Sequence, residues 1–263
     1  MSNRRFAGFW TGLLILAVAA LGGPALAQGE AAAYVVHGIP GADAGSDDPA
    51  LPVDVLVDDA LCLLRGFSFG EVAGPVMLAE GTYNIKILAS SEETPCEGDL
   101  LIQADVPFAA GENASVVAHL TADGMPTASK FVNDVSMTEP GMSRLLAHHV
   151  AAAPMVDLAV RRDLPDSPGA VVTRFTNGDQ AAAELRPGMW NVFVNEPGSN
   201  VILYGPIPVH LRPFTVHLTY AVGSVANGTF QLIEKRVLVK IKRQPQPRML
   251  HHERAREQFH RGR

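Results

Sequence analysis

The sequence predicts an all-β protein built as two tandem antiparallel β-sandwiches. Three observations lead there: apolar residues alternate with period two in short runs, turn-forming residues separate the runs, and the same order of segments occurs twice. In Thr82–Ile87, Tyr83, Ile85 and Ile87 share one face while Thr82, Asn84 and Lys86 share the other. Val53, Val55 and Val57 alternate around Asp54 and Leu56, and Trp190, Val192 and Val194 alternate with Asn191, Phe193 and Asn195. Asp58-Asp59, Glu80-Gly81, Pro187-Gly188, Pro197-Gly198 and Asn227-Gly228 supply the turns. Between residues 28 and 239 no stretch carries a convincing helical pattern of three turns.

The internal repeat sets the domain organisation. Val35-Val36-His37 matches Leu146-Ala147-His148, and Pro52–Val57 matches Pro154–Val160 with one residue of spacing missing. Gly66–Gly70 lies opposite Arg174–Gly178, and Leu78–Tyr83 opposite Leu185–Trp190. The joint falls at Glu139–Ser143. The expected divisions are a signal peptide at 1–27, a first repeat at 28–139, a second at 144–241 and a basic tail at 242–263. Each repeat has room for seven or eight short strands, enough for one small sandwich of immunoglobulin-like or prealbumin-like type.

Composition limits the function classes. The chain has 263 residues, 47% of them apolar and 18% charged, with two cysteines. That excludes a mainly disordered chain and a disulfide-dense miniprotein. Arg4 and Arg5, the apolar stretch from Phe6 to Leu21 and the small residues Ala25-Leu26-Ala27 read as a secretory signal, cleaved after Ala27. The apolar run is shorter than the roughly 20 residues that a spanning helix needs. The expected location is therefore periplasmic, extracellular or at the cell surface, with no transmembrane span after cleavage.

Export gives the cysteines a meaning. An oxidising compartment favours pairing Cys62 with Cys96; the alternative is two separate thiols. Charge is placed unevenly too. Residues 28–239 hold 11 Lys/Arg against 25 Asp/Glu, and Lys240–Arg263 holds eight Lys/Arg against two Glu. An acidic body argues against nucleic acid as a partner. The basic tail reads either as a contact to anionic polymer or lipid headgroups, or as a solvated terminus.

The paired pattern of a His, Pro-x-Val-Asp-Val, Phe-x-x-Gly and Glu-Gly-Thr-Tyr resembles an exported bacterial family known as domain of unknown function 4397. The stretches CLLRGFSFGEVAGP, EGTYNIKIL and SVVAHLTADGMPTASKFVNDV carry the likeness to its tandem form. The resemblance covers residues 32–241 and implies β-sandwich domains of the cell envelope or exterior, with the cysteine pair in the first copy only. The long acidic insertion Gly41–Pro49, the basic tail, and Asn177 in place of a usual Phe depart from the pattern.

Candidate chemistry is sparse. Gly66-Phe67-Ser68-Phe69-Gly70 satisfies G-x-S-x-G, but a nucleophile elbow needs a helix after the turn, and Glu71–Val76 cannot begin one. Ser68 with His119 as base is the hydrolase alternative. No His pair has metal-site spacing with a Glu, and neighbouring His148 and His149 in a strand point to opposite faces. The tail pair His251-His252 could bind a transition metal loosely. Asp43, Asp47 and Asp48 lack the spacing of a calcium loop. No catalytic residue, metal or cofactor is expected. The repeated pairs His37 with Asp54 and His148 with Asp157 are expected to be structural hydrogen bonds that pin neighbouring strands. The function expected is non-enzymatic: a binding, adhesion or scaffolding module facing envelope protein or glycan, with a small-molecule or metal carrier as a further alternative.

Overall fold

Period-two alternation becomes strand in both copies. The computed structural model describes residues 29–162 and 169–239. The expected signal peptide and basic tail, with His251 and His252, lie outside the described residues. Within them are sixteen strands and one 3-10 turn, Gly41–Ala44.

The first copy comprises β1 (Ala31–His37), β2 (Val53–Val57), β3 (Leu61–Phe67), β4 (Val72–Leu78), β5 (Gly81–Ala89), β6 (Leu100–Phe108), β7 (Asn113–Leu120) and β8 (Pro126–Val132). The second repeats the series as β9 (Ser143–His149), β10 (Val156–Arg161), β11 (Ala170–Phe175), β12 (Gln180–Leu185), β13 (Gly188–Asn195), β14 (Ile202–Leu211), β15 (Thr215–Val222) and β16 (Gln231–Leu238). Each copy forms two four-stranded sheets in the same order. These are β4-β1-β7-β8 with β3-β2-β5-β6, then β12-β9-β15-β16 with β11-β10-β13-β14. Pairing is antiparallel except between β1 and β7 and between β9 and β15. An immunoglobulin-like sandwich groups its first, second, fifth and fourth strands in one sheet. The order seen here departs from that and leaves the prealbumin-like alternative.

The sheets stack in four layers. Val53, Phe67, Ile87 and Leu120 form a core inside the first copy, and Leu145, Val160, Trp190 and Leu211 form one inside the second. A third core lies between the copies. There Tyr34, Val36, Val117 and Phe131 pack against Leu146, Leu218, Tyr220 and Val222. Every residue of β7 from Ala114 to Leu120 is therefore buried, because both faces of its sheet are covered.

Polar groups stitch this central layer. The Ser115 and Tyr220 hydroxyls hydrogen-bond at 2.6 Å, and Asn133 Nδ2 donates to Ser115 Oγ at 2.9 Å. Asn177, the departure at the usual Phe position, donates from Nδ2 to the Leu120 and Ala151 carbonyls at 2.9 and 2.7 Å. Its polar side chain thus bridges the copies, whereas its counterpart Phe69 packs on the central core. The acidic insertion serves the same junction, since Asp43 accepts hydrogen bonds from Asn227 and Thr229. Gly38 allows the close approach; a Cβ there would meet Val222 Cγ1 at 2.8 Å and the Ala118 carbonyl at 2.9 Å.

The register corrects the repeat alignment by one residue. His37 lies opposite Ala118, and His149, not His148, lies opposite Ala221. The His37 carbonyl accepts from Gly70 N–H as the His149 carbonyl accepts from Gly178 N–H. His149 is therefore the counterpart of His37, and Val36 is the counterpart of His148. Two adjacent histidines hid the slip, and a one-residue slip moves a side chain to the other face.

Candidate functional site

The two sandwiches are filled differently. In the first copy Ile87 and Ile102 pack into the core with Phe67. The strand registers place Val194 and Tyr204 at the corresponding positions of the second copy. Val194 is a methylene smaller than Ile87. Tyr204 turns outward, half-exposed, to meet Phe230 edge-on at 4.7 Å. Between the sheets of the second copy this leaves a cavity of about 360 Å³. Ala147, Val156, Leu158, Phe175, Val192 and Val194 contribute to its apolar walls, and Leu203, Tyr204, Val225 and Phe230 also line it. No charged side chain is among the lining residues. The corresponding space in the first copy holds about 30 Å³.

His149 lies in the cavity wall against the Phe175 ring. Burial lowers its pKa from the ordinary histidine value, partly opposed by the Pro154 carbonyl and Asp179. Its Nε2–H donates to the Pro154 carbonyl at 3.4 Å. On the opposite strand face, His148 stacks on Tyr220 with centroids 4.5 Å apart and meets Phe131 edge-on at 5.0 Å. The opposite-faces expectation thus holds for this pair.

The expected His–Asp hydrogen bonds are not made. His37 Nε2–H donates to the Leu51 carbonyl at 2.8 Å and its Nδ1 accepts from Ile39 N–H at 3.3 Å, which occupies both nitrogens. His148 Nδ1–H donates to the Thr219 carbonyl at 2.9 Å. The aspartates pin loops instead. Asp54 accepts from Gly66 N–H, Ser90 Oγ–H and Cys96 N–H at 2.9, 2.7 and 2.7 Å. Asp157 accepts from Arg174 N–H and Gly198 N–H at 2.7 and 2.8 Å. The physical reason lies in the backbone. Gly66, Cys96, Arg174 and Gly198 all have positive φ, in turns whose N–H groups need an acceptor. A carboxylate in the adjacent central strand satisfies two such turns at once. Burial pushes the Asp54 carboxyl up, but the hydrogen bonds from Cys96, Gly66 and Ser90 outweigh it and hold the group below its usual range.

Cys62 and Cys96 form a disulfide, with Cα atoms 5.8 Å apart. It ties the start of β3 to the loop that Asp54 holds. Closing a loop of 34 residues in sequence stabilises by about 4 kcal/mol on the chain-entropy account. Reduction is expected to lower the melting temperature accordingly, measured by calorimetry with and without reductant; identical melting curves would contradict this.

The hydrolase geometry is not assembled. Ser68 lies in the turn between β3 and β4, where its Oγ–H donates to the Gly66 carbonyl at 3.3 Å. His119 Nδ1–H donates to the Leu120 carbonyl and its Nε2 pairs with Ser129 Oγ. Among the described residues no three His, Cys, Asp or Glu side chains come together as a metal-binding set. No described helix is long and apolar enough to cross a membrane. The cavity is the feature that sequence reasoning missed. Its only signal was the loss of bulk at Val194 and of inward packing at Tyr204, and the latter is a matter of side-chain direction.

The fold defines a tandem β-sandwich protein. Residues 31–159, from the start of β1 into β10, match the family model described as Domain of unknown function (DUF4397). No curated protein matches the chain. Among solved structures, the chain is similar to the TIE protein of Bacillus anthracis at 10% identity and a TM-score of 0.22, covering 79% of this chain and 34% of that one. It therefore spans about a third of that protein's length. It is also similar to a candidate cell adhesion protein from Bacteroides ovatus at 11% identity and a TM-score of 0.24, covering 80% of this chain and 98% of that one.

Proposed function

We propose that the protein is an exported, non-enzymatic binding protein whose second sandwich takes up a small apolar molecule. The observation that carries this reading is the cavity of about 360 Å³ between the sheets of the second copy. Ligand sites are concave, mainly apolar and roughly 300–1,000 Å³ in size. A dry cavity of about 150 Å³ accommodates benzene, so this one suits an uncharged aliphatic or aromatic group of roughly a dozen heavy atoms. The absence of charge in the walls selects against burying an ionised group. The disulfide supports the exported part of the reading, because such bonds persist in oxidising compartments.

The test is fluorescence titration of the chain from Gln28 onward with N-phenylnaphthylamine, an uncharged apolar probe. Saturable binding near one probe per chain is expected. Val194→Phe, which fills the cavity, should weaken it at least tenfold while the melting transition is retained. A chain that shows no saturable binding, or a folded Val194→Phe variant with undiminished affinity, would overturn the reading.

A further inference from the structure

At the start of β14 the chain exposes an unbroken apolar run. Val201, Ile202, Leu203 and Tyr204 are 56%, 47%, 54% and 45% exposed. Successive strand residues point to opposite faces, so this tip is apolar on both sides. Val225, 52% exposed in the facing loop before β16, extends the surface across the cavity mouth. Charge is missing from both segments. Neither Pro197–Val209 nor Ala221–Ile233 contains an Asp, Glu, Lys or Arg, in a chain that is 18% charged. Three carboxylates are tied to these segments: Glu196, exposed beside Val201, accepts from Ser199 Oγ–H, Asp157 accepts from Gly198 N–H, and Asp43 is held by Asn227 and Thr229 on the side facing the first copy's insertion.

Isolated exposed apolar residues need no explanation, but a contiguous patch does. A docked protein covers one face of a strand tip and leaves the other in water. Immersion in a lipid interface covers both faces, is opposed by any charge carried in, and favours a tyrosine at the boundary. We propose that this lip, Val201–Tyr204 with Val225, inserts into a zwitterionic lipid surface and sets the cavity mouth against the membrane. The body between residues 28 and 239 carries a large excess of Asp and Glu, so an anionic surface would repel it. The proposal goes beyond ligand uptake and stands whether or not the cavity is filled.

The test is flotation of the chain from Gln28 onward with phosphatidylcholine vesicles at low and high salt, beside Leu203→Asp and Ile202→Ser variants. These side chains are exposed, so circular dichroism and melting should match the unsubstituted chain. Vesicle binding is expected to be insensitive to salt, at least tenfold weaker in Leu203→Asp and intermediate in Ile202→Ser. Absence of flotation with phosphatidylcholine, or equal flotation of Leu203→Asp, would overturn the proposal. Binding confined to phosphatidylserine-containing vesicles and abolished by salt would place the contact in the basic residues after 239 instead. Self-association lost in Leu203→Asp, without flotation, would assign the lip to a second copy of the chain.

Discussion

Acidification from neutral pH toward pH 4 is expected to cost the folded protein several kcal/mol through its buried histidines. His148 carries the largest share. Burial lowers its pKa from 6.5 to about 4, against the opposing pull of the Thr219 carbonyl. The unfolded chain therefore binds this proton at higher pH than the native one. The contribution from keeping the ring neutral is fully present above pH 6.5, declines as pH falls through the window to about 4, and does not decline further below it. A shift of this size corresponds to about 3 kcal/mol. His37, His119, His149 and His217 are also buried and shifted downward, so they act in the same direction. Urea unfolding at stepped pH values should show stability falling steadily from pH 7 to 4. His148→Phe, which keeps an aromatic ring between Phe131 and Tyr220, should give a shallower slope. A flat stability between pH 7 and 5 would contradict the account.

Asp54→Ala is expected to destabilise the protein by about 3 kcal/mol, because it strands three part-buried donors, Gly66 N–H, Ser90 Oγ–H and Cys96 N–H. Asp54→Asn should rescue little, since its amide group would present a donor where the turns also present donors. Asp157→Ala should act in the same direction through Arg174 and Gly198. The Asp54 carboxylate and the disulfide hold the same loop, so their removals should be non-additive in a double-mutant cycle. Chemical denaturation of the variants measures this. A loss below 1 kcal/mol for Asp54→Ala would show that the loops are held by other means.

These residues also show how far sequence reasoning reaches here. Alternation at Val53, Val55 and Val57 reads directly as strand, because one buried face imposes period two. The cysteine pair reads as a disulfide because compartment and count leave few choices. Asp54 was visible as a repeated carboxylate inside an apolar strand, yet its partners were not. Backbone N–H groups in left-handed turns carry no side-chain signature, whereas a nearby histidine does. The central core was hidden for a related reason. A strand such as β7 loses its alternation when both faces are covered, as from Ala114 to Leu120, and a continuous buried run does not say what covers the second face. The cavity escaped because volume is a property of the packed sheets; Val194 is an ordinary strand residue until the space beside it is measured.

The layer formed by Tyr34, Val36, Val117 and Phe131 against Leu146, Leu218 and Tyr220 has a consequence for how such a chain can change over generations. A duplicated module whose copies meet only through a linker can lose, swap or multiply them freely. Here each copy has given up a water-compatible outer face to its sister. A deletion that removes either half bares an apolar sheet, and an added third copy finds no free face like the one the first two share. The heritable unit is the pair, and the lip and cavity on the second copy keep a fixed orientation to the first for as long as that bond between twins endures.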